Sequence, residues 1–482
     1  MYKIFFLMIF FLNCKTKYKL ASEIKNLEKQ SEIYQNKLFQ NNDTSFIPLF
    51  NSANELMYYK GEKDSAFIYG DISLYIKNKS NNSWNKNSTG YINILWFKTK
   101  PNTVFDNTLN IQKAIQVAAN KCKVIFPKGV YNINADISLN IPSNSNLEFE
   151  KDAILKCIPN RNTAYRIINI KGNGKNTINN IIIDNINIIG DRYSHKGDKG
   201  EHGHGIVLSN CNNVEIKNPV IKDCWGDGVA IYGAKNVIIS HLISDNNRRQ
   251  GLTITSGENI KILHPICMNT NGTAPEAGID IEPNHAKDEL INIELINPLT
   301  KNNKGVGIAA GCRKFLNSTH NVSITIRNHI DSFSSHGFHI ASLEYSNIGR
   351  ISGFIKNIDS KYYFNKSNGI TIRSYNAENS PKIFLINSKI VNPNCGLQKL
   401  DRWGSGISIF REKTKEDLKN KQNYINSTMG NVIIDNPIII DNRINHLMVK
   451  EISIIDDYGL KSKNIELNNL NKTLKDNLKI EK

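Results

Sequence analysis

Three things are missing from this sequence, and each absence narrows what it can be. Beyond residue 12 no apolar run is long enough to cross a bilayer. None of the eight cysteines (Cys14, Cys122, Cys157, Cys211, Cys224, Cys267, Cys312 and Cys395) stands in a Cys-x-x-Cys pair, which removes zinc-ribbon and thioredoxin-like readings. The formal charge of +17 has no focus: its lysines are spread through an Asn- and Lys-rich chain. No basic stripe with interleaved aromatics occurs and no nucleic-acid-binding motif is present, so a nucleic-acid partner is not expected. A solvated basic surface accounts for such a charge, and attraction to an acidic polymer is the other use of it. With Cys14 set aside, seven scattered cysteines remain. Free thiols packed in a core are the expectation, with a Cys211–Cys224 bridge as the alternative in an oxidising compartment.

What is present begins with a leader. Lys3 precedes the nine apolar residues Ile4 to Leu12, and Asn13 and Cys14 follow. The run is too short to span a membrane and suits an export signal. It resembles a bacterial lipoprotein signal with Cys14 as the lipidated first mature residue, although Asn13 stands where Gly or Ala is usual. That resemblance implies a lipid-anchored protein of the bacterial cell envelope, in the outer membrane or periplasm, with plain secretion as the alternative. Residues 15–41 read as a tether, 42–100 as a small β cap region, 101–460 as the main domain and 461–482 as a polar tail.

The main domain is a repeat. Gly205-Ile-Val-Leu, Gly228-Val-Ala-Ile, Gly251-Leu-Thr-Ile and Gly278-Ile-Asp-Ile recur at intervals of 23, 23 and 27 residues. Asn213, Asn236 and Asn259 each open a second apolar alternation. Period-two alternation means strands with one face in and one out, and no helical period occurs in this stretch. Short strands returning every 23 or so residues describe the coils of a parallel β-helix, where stacked copies share one core. Asn before each second strand suits a left-handed corner and can stack into a ladder. Further copies start at Gly307, Gly337, Gly369 and Gly406, at spacings that lengthen to 29, 30, 32 and 37.

Upstream, Ile111, Ala114, Ile115 and Ala118 lie on one helical face, with Asp106 or Asn107 as cap. The strand-turn-strand run Lys123 to Tyr131 follows. This helix, strand and turn, with the coils, resembles the pectin-lyase-like superfamily over roughly residues 95–455. The resemblance implies an all-β fold: a right-handed parallel β-helix solenoid with a short N-terminal capping helix. It is specific for fold and weak for chemistry, since lyases, hydrolases, epimerases and inert spikes share that scaffold.

Stacking turns the repeat into columns about 4.8 Å apart per step. Two residues past each Gly the outward column reads Val207, Ala230, Thr253, Asp280, Ala309, His339, Thr371, Ser408. Four past it reads Ser209, Tyr232, Thr255, Glu282, Ala341, Arg373. Just before the Gly come His204, Asp227 and Gln250. Asp227, Arg249, Asp280 and Glu282 are the candidate catalytic residues, and His202, His204, Trp225, Tyr232, Arg248, His339 and Arg373 the candidate substrate-binding ones. Asp280 and Glu282, at i and i+2, can act as acid and base on a glycosidic bond. They can equally hold Ca²⁺ through oxygen ligands, or stand as solvated carboxylates paired to Arg249 or Lys261. Trp225 offers a ring for a sugar or fills a corner.

Compared with polygalacturonases, the positions that match their motifs read Gly203-His204-Gly205, Gly226-Asp227-Gly228, Arg249-Gln250-Gly251 and Asp280-Ile281-Glu282. Only Asp227 keeps an acid of that family, and carboxylates replace its substrate-gripping Arg and Lys. The expected function is cleavage of polysaccharide, in a hydrolase with Glu282 donating the proton, or in a lyase with Arg249 or His202 taking the C5 proton. The alternatives are a uronate epimerase and a non-catalytic polysaccharide-binding or surface structural protein. The expected partners are a polysaccharide and, through the lipid, a membrane, with the chain a monomer.

Overall fold

The computed structural model describes five short strands between residues 47 and 86, then residues 91–474 except 121, 316–320, 342–350, 374–379, 412–427, 458–462 and 472–473. The leader, Cys14, the tether and most of the region read as a cap lie outside the described residues. The five early strands pair antiparallel among themselves.

From Tyr91 onward the described strands pair in parallel, and their register is set by the repeat. Ile206 stands opposite Val229, Val229 opposite Leu252, and Leu252 opposite Ile279. The large sheet takes the long strands His202–Lys217, Val229–Ser240 and Gln250–Leu263, and an eleven-stranded sheet of described strands takes the short third side of each coil, such as Val220–Lys222 and Ile243–Asp245. Each coil is bent at left-handed Asn corners: Asn213, Asn236 and Asn259 have φ of 57°, 53° and 57°. A side-chain amide stabilises that conformation locally, where most residues would be penalised. The expected ladder forms in part: Asn259 Nδ2 donates to Asn236 Oδ1 at 2.9 Å and Asn292 to Asn259 at 2.8 Å, but Asn236 donates to Asn212 at 2.8 Å in place of Asn213, which donates to Asn180 at 2.7 Å.

Inward residues such as Ile206, Leu208, Ile231, Leu252, Ile254, Ile279 and Ile281 are fully buried and form one core along the axis. No coil could bury this surface alone, so stability is a property of the stack. The seven described cysteines are all free thiols, so the Cys211–Cys224 bridge does not form.

The helix α1, Thr108–Ala118, buries Ile111, Ala114, Ile115 and Ala118 as the periodicity predicts, and Val117 with them. Of the two candidate caps Asp106 does the work: its Oδ1 accepts from the Thr108 amide at 2.9 Å, while Asn107 makes no side-chain cap bond. Two boundaries move. Tyr91–Asn93 already pairs with Lys123–Phe126, inside the stretch read as cap. Lys463–Asn468 pairs with Met429–Asp435, which carries the solenoid beyond residue 460 into the stretch read as tail.

Candidate functional site

The predicted column exists. Val207, Ala230, Thr253, Asp280, Ala309, His339, Thr371 and Ser408 are successive ladder partners. Its exposure was not as expected. Val207, Ala230, Thr253 and Asp280 are buried although they alternate with the core residues, and Ala309 and His339 are half-buried. The next column also shifts. A bulge makes Tyr232 face Ser256 rather than Thr255, and Glu282 falls just past the strand Ala277–Ile281, where it is exposed.

Asp227, Arg249, Asp280 and Glu282 do come together, through two residues that sequence columns could not rank. Arg249 Nη1 lies 3.3 and 3.4 Å from the two Asp227 oxygens and 2.6 Å from Gln250 Oε1. Thr253 Oγ1 donates to Asp227 at 2.9 Å. Gln250 Nε2 donates to Asp280, whose carboxyl also shares a hydrogen bond with Glu282. Gln250 thus links the two buried acids. Arg249 Nε meets Glu201 at 3.4 Å.

Burial raises the Asp227 carboxyl to about 6 against the pull of Arg249 and Thr253. Asp280 is pushed well above the usual carboxylate range, by burial first and by the adjacent Glu282 charge second. Asp280 therefore gives up its proton less readily than an ordinary carboxyl. Their direct contact corrects one expectation: a pair that touches cannot flank a scissile bond, which needs a gap of at least about 5 Å. It also fits Ca²⁺ poorly, because Asp280 is already engaged by Gln250 and Glu282 and such a cation takes about 6–8 oxygens. Among the described residues no group of three or more His, Cys, Asp or Glu side chains is placed to hold a metal ion.

His204 is buried, and its Nδ1 accepts the Asp227 backbone N–H at 3.0 Å. That fixes the tautomer: the proton is on Nε2, which donates to the Tyr232 hydroxyl at 3.2 Å. Burial, then the charges of His202, Arg249 and Arg166, hold its pKa well below the ordinary imidazole value. The neutral ring explains why its 3.5 Å approach to the Asp227 carboxylate is no ion pair. His204 therefore orients Asp227 and Tyr232 and does not reach a ligand itself. His202 is exposed, 3.7 Å from Glu201. Arg166, the ladder partner of His204, joins this end of the wall. It lies in a coil without the repeat glycine, so no pattern marked it.

Trp225 and Arg248 are not free to bind sugar. His195 stacks on one face of the indole, with centroids 4.2 Å apart, and the Arg248 guanidinium covers a face at 3.8 Å. His195 is in turn fixed by buried Asp191 at 2.9 Å, which also accepts from Tyr165. The polar loop 190–201 is thereby pinned to the wall, which places Glu201 against Arg249. His339, two coils on from Asp280, belongs to a second group with His336 and Trp403; His336 lies 5.6 Å from His339 and 5.7 Å from Trp403 between centroids. Arg373 lies one coil further on, where its charge acts on His339.

Comparisons with known proteins agree with this architecture. Residues 161–324 match the family described as right handed beta helix region. The chain is 29% identical over 279 residues to the uncharacterized protein YclG of Bacillus subtilis, covering 51% of this chain and 46% of that protein. It is 33% identical over 133 residues to the SPbeta prophage-derived uncharacterized protein YorA of the same organism, covering 23% of this chain and 22% of that one. The matches thus span less than half the length of these curated relatives. Among solved structures, the A-module of the Azotobacter vinelandii mannuronan C-5 epimerase AlgE4 superposes with a TM-score of 0.54 at 13% identity, over 78% of this chain and 95% of that one. The Yersinia enterocolitica family 28 exopolygalacturonase gives 0.53 at 13%, over 91% and 89%. At such identities the likeness is one of fold: the protein is a right-handed parallel β-helix, and residues 161–324 match the right-handed β-helix region.

Proposed function

We propose that this is a carbohydrate-active protein that hydrolyses glycosidic bonds of a polysaccharide at the wall around Glu282. The observation that carries the reading is the Asp280–Glu282 pair, a buried carboxyl whose affinity for a proton is raised, in contact with an exposed one. A general acid at neutral pH needs such a proton held within reach of solvent. Glu282 passes it to the leaving oxygen as the glycosidic C–O bond breaks, Asp280 re-supplies Glu282, and water adds to the anomeric carbon and gives up the proton that restores the pair. Arg249, bound to Asp227 and Glu201, balances the negative charge left behind. The same contacts weigh against elimination or epimerisation through Arg249, because a guanidinium between two carboxylates keeps its proton.

One observation favours a second reading, a non-catalytic polysaccharide binder or surface structural protein: Asp227 and Asp280 are closed to solvent. A panel of acidic and neutral polysaccharides, each with and without chelator, decides between them. Hydrolysis releases reducing ends with no ultraviolet absorbance from unsaturated sugar. Unsaturated product would move the assignment to a lyase, and binding without product to the second reading.

The leader supports export to the cell envelope with lipid on Cys14. The mature N-terminus is expected to be an acylated Cys14 by mass spectrometry, and a Cys14→Ser variant is expected to stay unacylated. An intact Met1 on the wild-type protein would end this part of the proposal.

A further inference from the structure

The outer wall is not flat where the two polar groups face each other. In the strand Val306–Gly311 the residues on the core side, Ile308 and Ala310, are fully buried, while Val306, Ala309 and Gly311 lie half-exposed. Those outward side chains are small. Ala309 has Asp280 as ladder partner on one side and His339 on the other. The neighbouring strands carry taller groups: Asp280 and Glu282 before it, His336 and His339 after it. Two ladder steps separate the flanking strands by about 9.6 Å. The low strand is therefore a trough one coil wide, between the Asp280–Glu282 carboxyl pair and two imidazoles, with Trp403 beside His336.

The imidazole side has unmet bonding capacity. His336 Nδ1 is 3.1 Å from Ser335 Oγ, yet His336 Nε2 and His339 Nδ1 have no hydrogen-bond partner despite being buried atoms. Burying such a nitrogen unpaired costs free energy that a ligand hydroxyl would recover. Both residues are half-buried, on the side of the strand opposite the core residues Phe338 and Ile340.

We infer that the trough over Ala309 and Gly311 is the sugar-binding site, holding one pyranose ring of a polysaccharide between Glu282 and the His336–His339 pair. The inference rests on the proposed function and places the substrate against Glu282. The width suits one pyranose ring. His336 and His339 are assigned as binding residues that bond ring hydroxyls.

The test fills the trough without replacing a titratable residue. Ala309→Tyr adds a ring on the outer face of a strand, where aromatic residues are tolerated. Ala309→Ser keeps the trough open and serves as the control. Calorimetric titration with oligogalacturonides and cello-oligosaccharides is expected to show Ala309→Tyr weakening whichever ladder the wild type binds by about tenfold or more. His339→Ala weakens it as well and Ala309→Ser does not, with thermal midpoints unchanged in all three. Wild-type affinity in a folded Ala309→Tyr protein overturns the trough while leaving the proposed function standing. A wild type that binds neither ladder overturns both.

Discussion

Glu282→Gln is expected to lower turnover by about 10²–10⁴-fold, the contribution of one positioned proton donor, while leaving the thermal midpoint where it was. The separation of the two effects follows from position. Glu282 is exposed and lies beyond the last residue of its strand, so the amide removes a proton but no packing. Asp280→Asn is the more informative partner. Asp280 holds its proton because it is buried and because the Glu282 charge opposes its ionisation. In the wild type the rate therefore falls only as the pH rises through a value above the usual carboxylate range. With the Asp280 carboxyl gone nothing stores the proton, and that alkaline limb moves towards acid. A pH–rate profile reads the shift directly. Equal profiles for wild type and Asp280→Asn would show that the two carboxyls do not act as one unit, and full turnover in Glu282→Gln would remove it as the donor.

What could be read in the sequence, and what could not, divides along a physical line. The Gly spacing gave the coils and their register because a ladder partner is the residue one period away, as Val207, Ala230, Thr253 and Asp280 are. The Asn corners were readable because few residues other than Asn and Gly tolerate left-handed backbone. Depth was not readable. Alternation separates the side facing the axis from the opposite side, but it does not say that the opposite side is covered, and so Asp227 and Asp280 looked like surface groups. Nor can a column show a bond that crosses columns. Thr253 reaches Asp227 from a different offset, and Gln250 links Asp227's neighbourhood to Asp280 one coil further on. Trp225 seemed a sugar platform because nothing periodic announces His195, which arrives from a loop 30 residues upstream to stack on it. The trough at Ala309 went unnoticed for the opposite reason: small residues carry no chemistry, and their meaning comes only from the taller groups on both sides.

The interior supplies the second large effect. Asp331 is completely buried in the solenoid, on the short-strand side, where its ladder neighbours are Thr300 and Tyr362. It accepts hydrogen bonds from Thr300 Oγ1 at 2.6 Å, Ser334 Oγ at 2.7 Å and Asn365 Nδ2 at 2.6 Å, all neutral donors. The one proton of Thr300 is used on Asp331, so His329 Nε2, 2.7 Å away, must donate to Thr300. Burial lowers His329 to about 3, which keeps it neutral and unable to offset a charge. Burial outweighs the three hydrogen bonds and raises Asp331 to about 7. A carboxyl raised on folding contributes stability that is complete below its unfolded value, near 3.9, and is lost as the pH climbs through the folded value. The wild type should therefore weaken between about pH 4 and pH 7 by a few kcal/mol from this residue. Asp227 and Asp280, also raised, add to that slope, whereas the lowered His204, His329, His336 and His339 oppose it. The clean quantity is thus the difference between wild type and Asp331→Asn. An amide at 331 keeps the oxygen that Thr300 and Ser334 bond, and the Asn365 side chain, whose Oδ1 is otherwise without a partner, can turn to accept from it. The variant is expected to unfold at a higher temperature than wild type at pH 8, with the advantage shrinking to nothing or reversing by pH 4. A difference that stays constant across that range would mean that Asp331 does not change its protonation on folding, and that the solenoid carries an ionised carboxylate at its core without penalty.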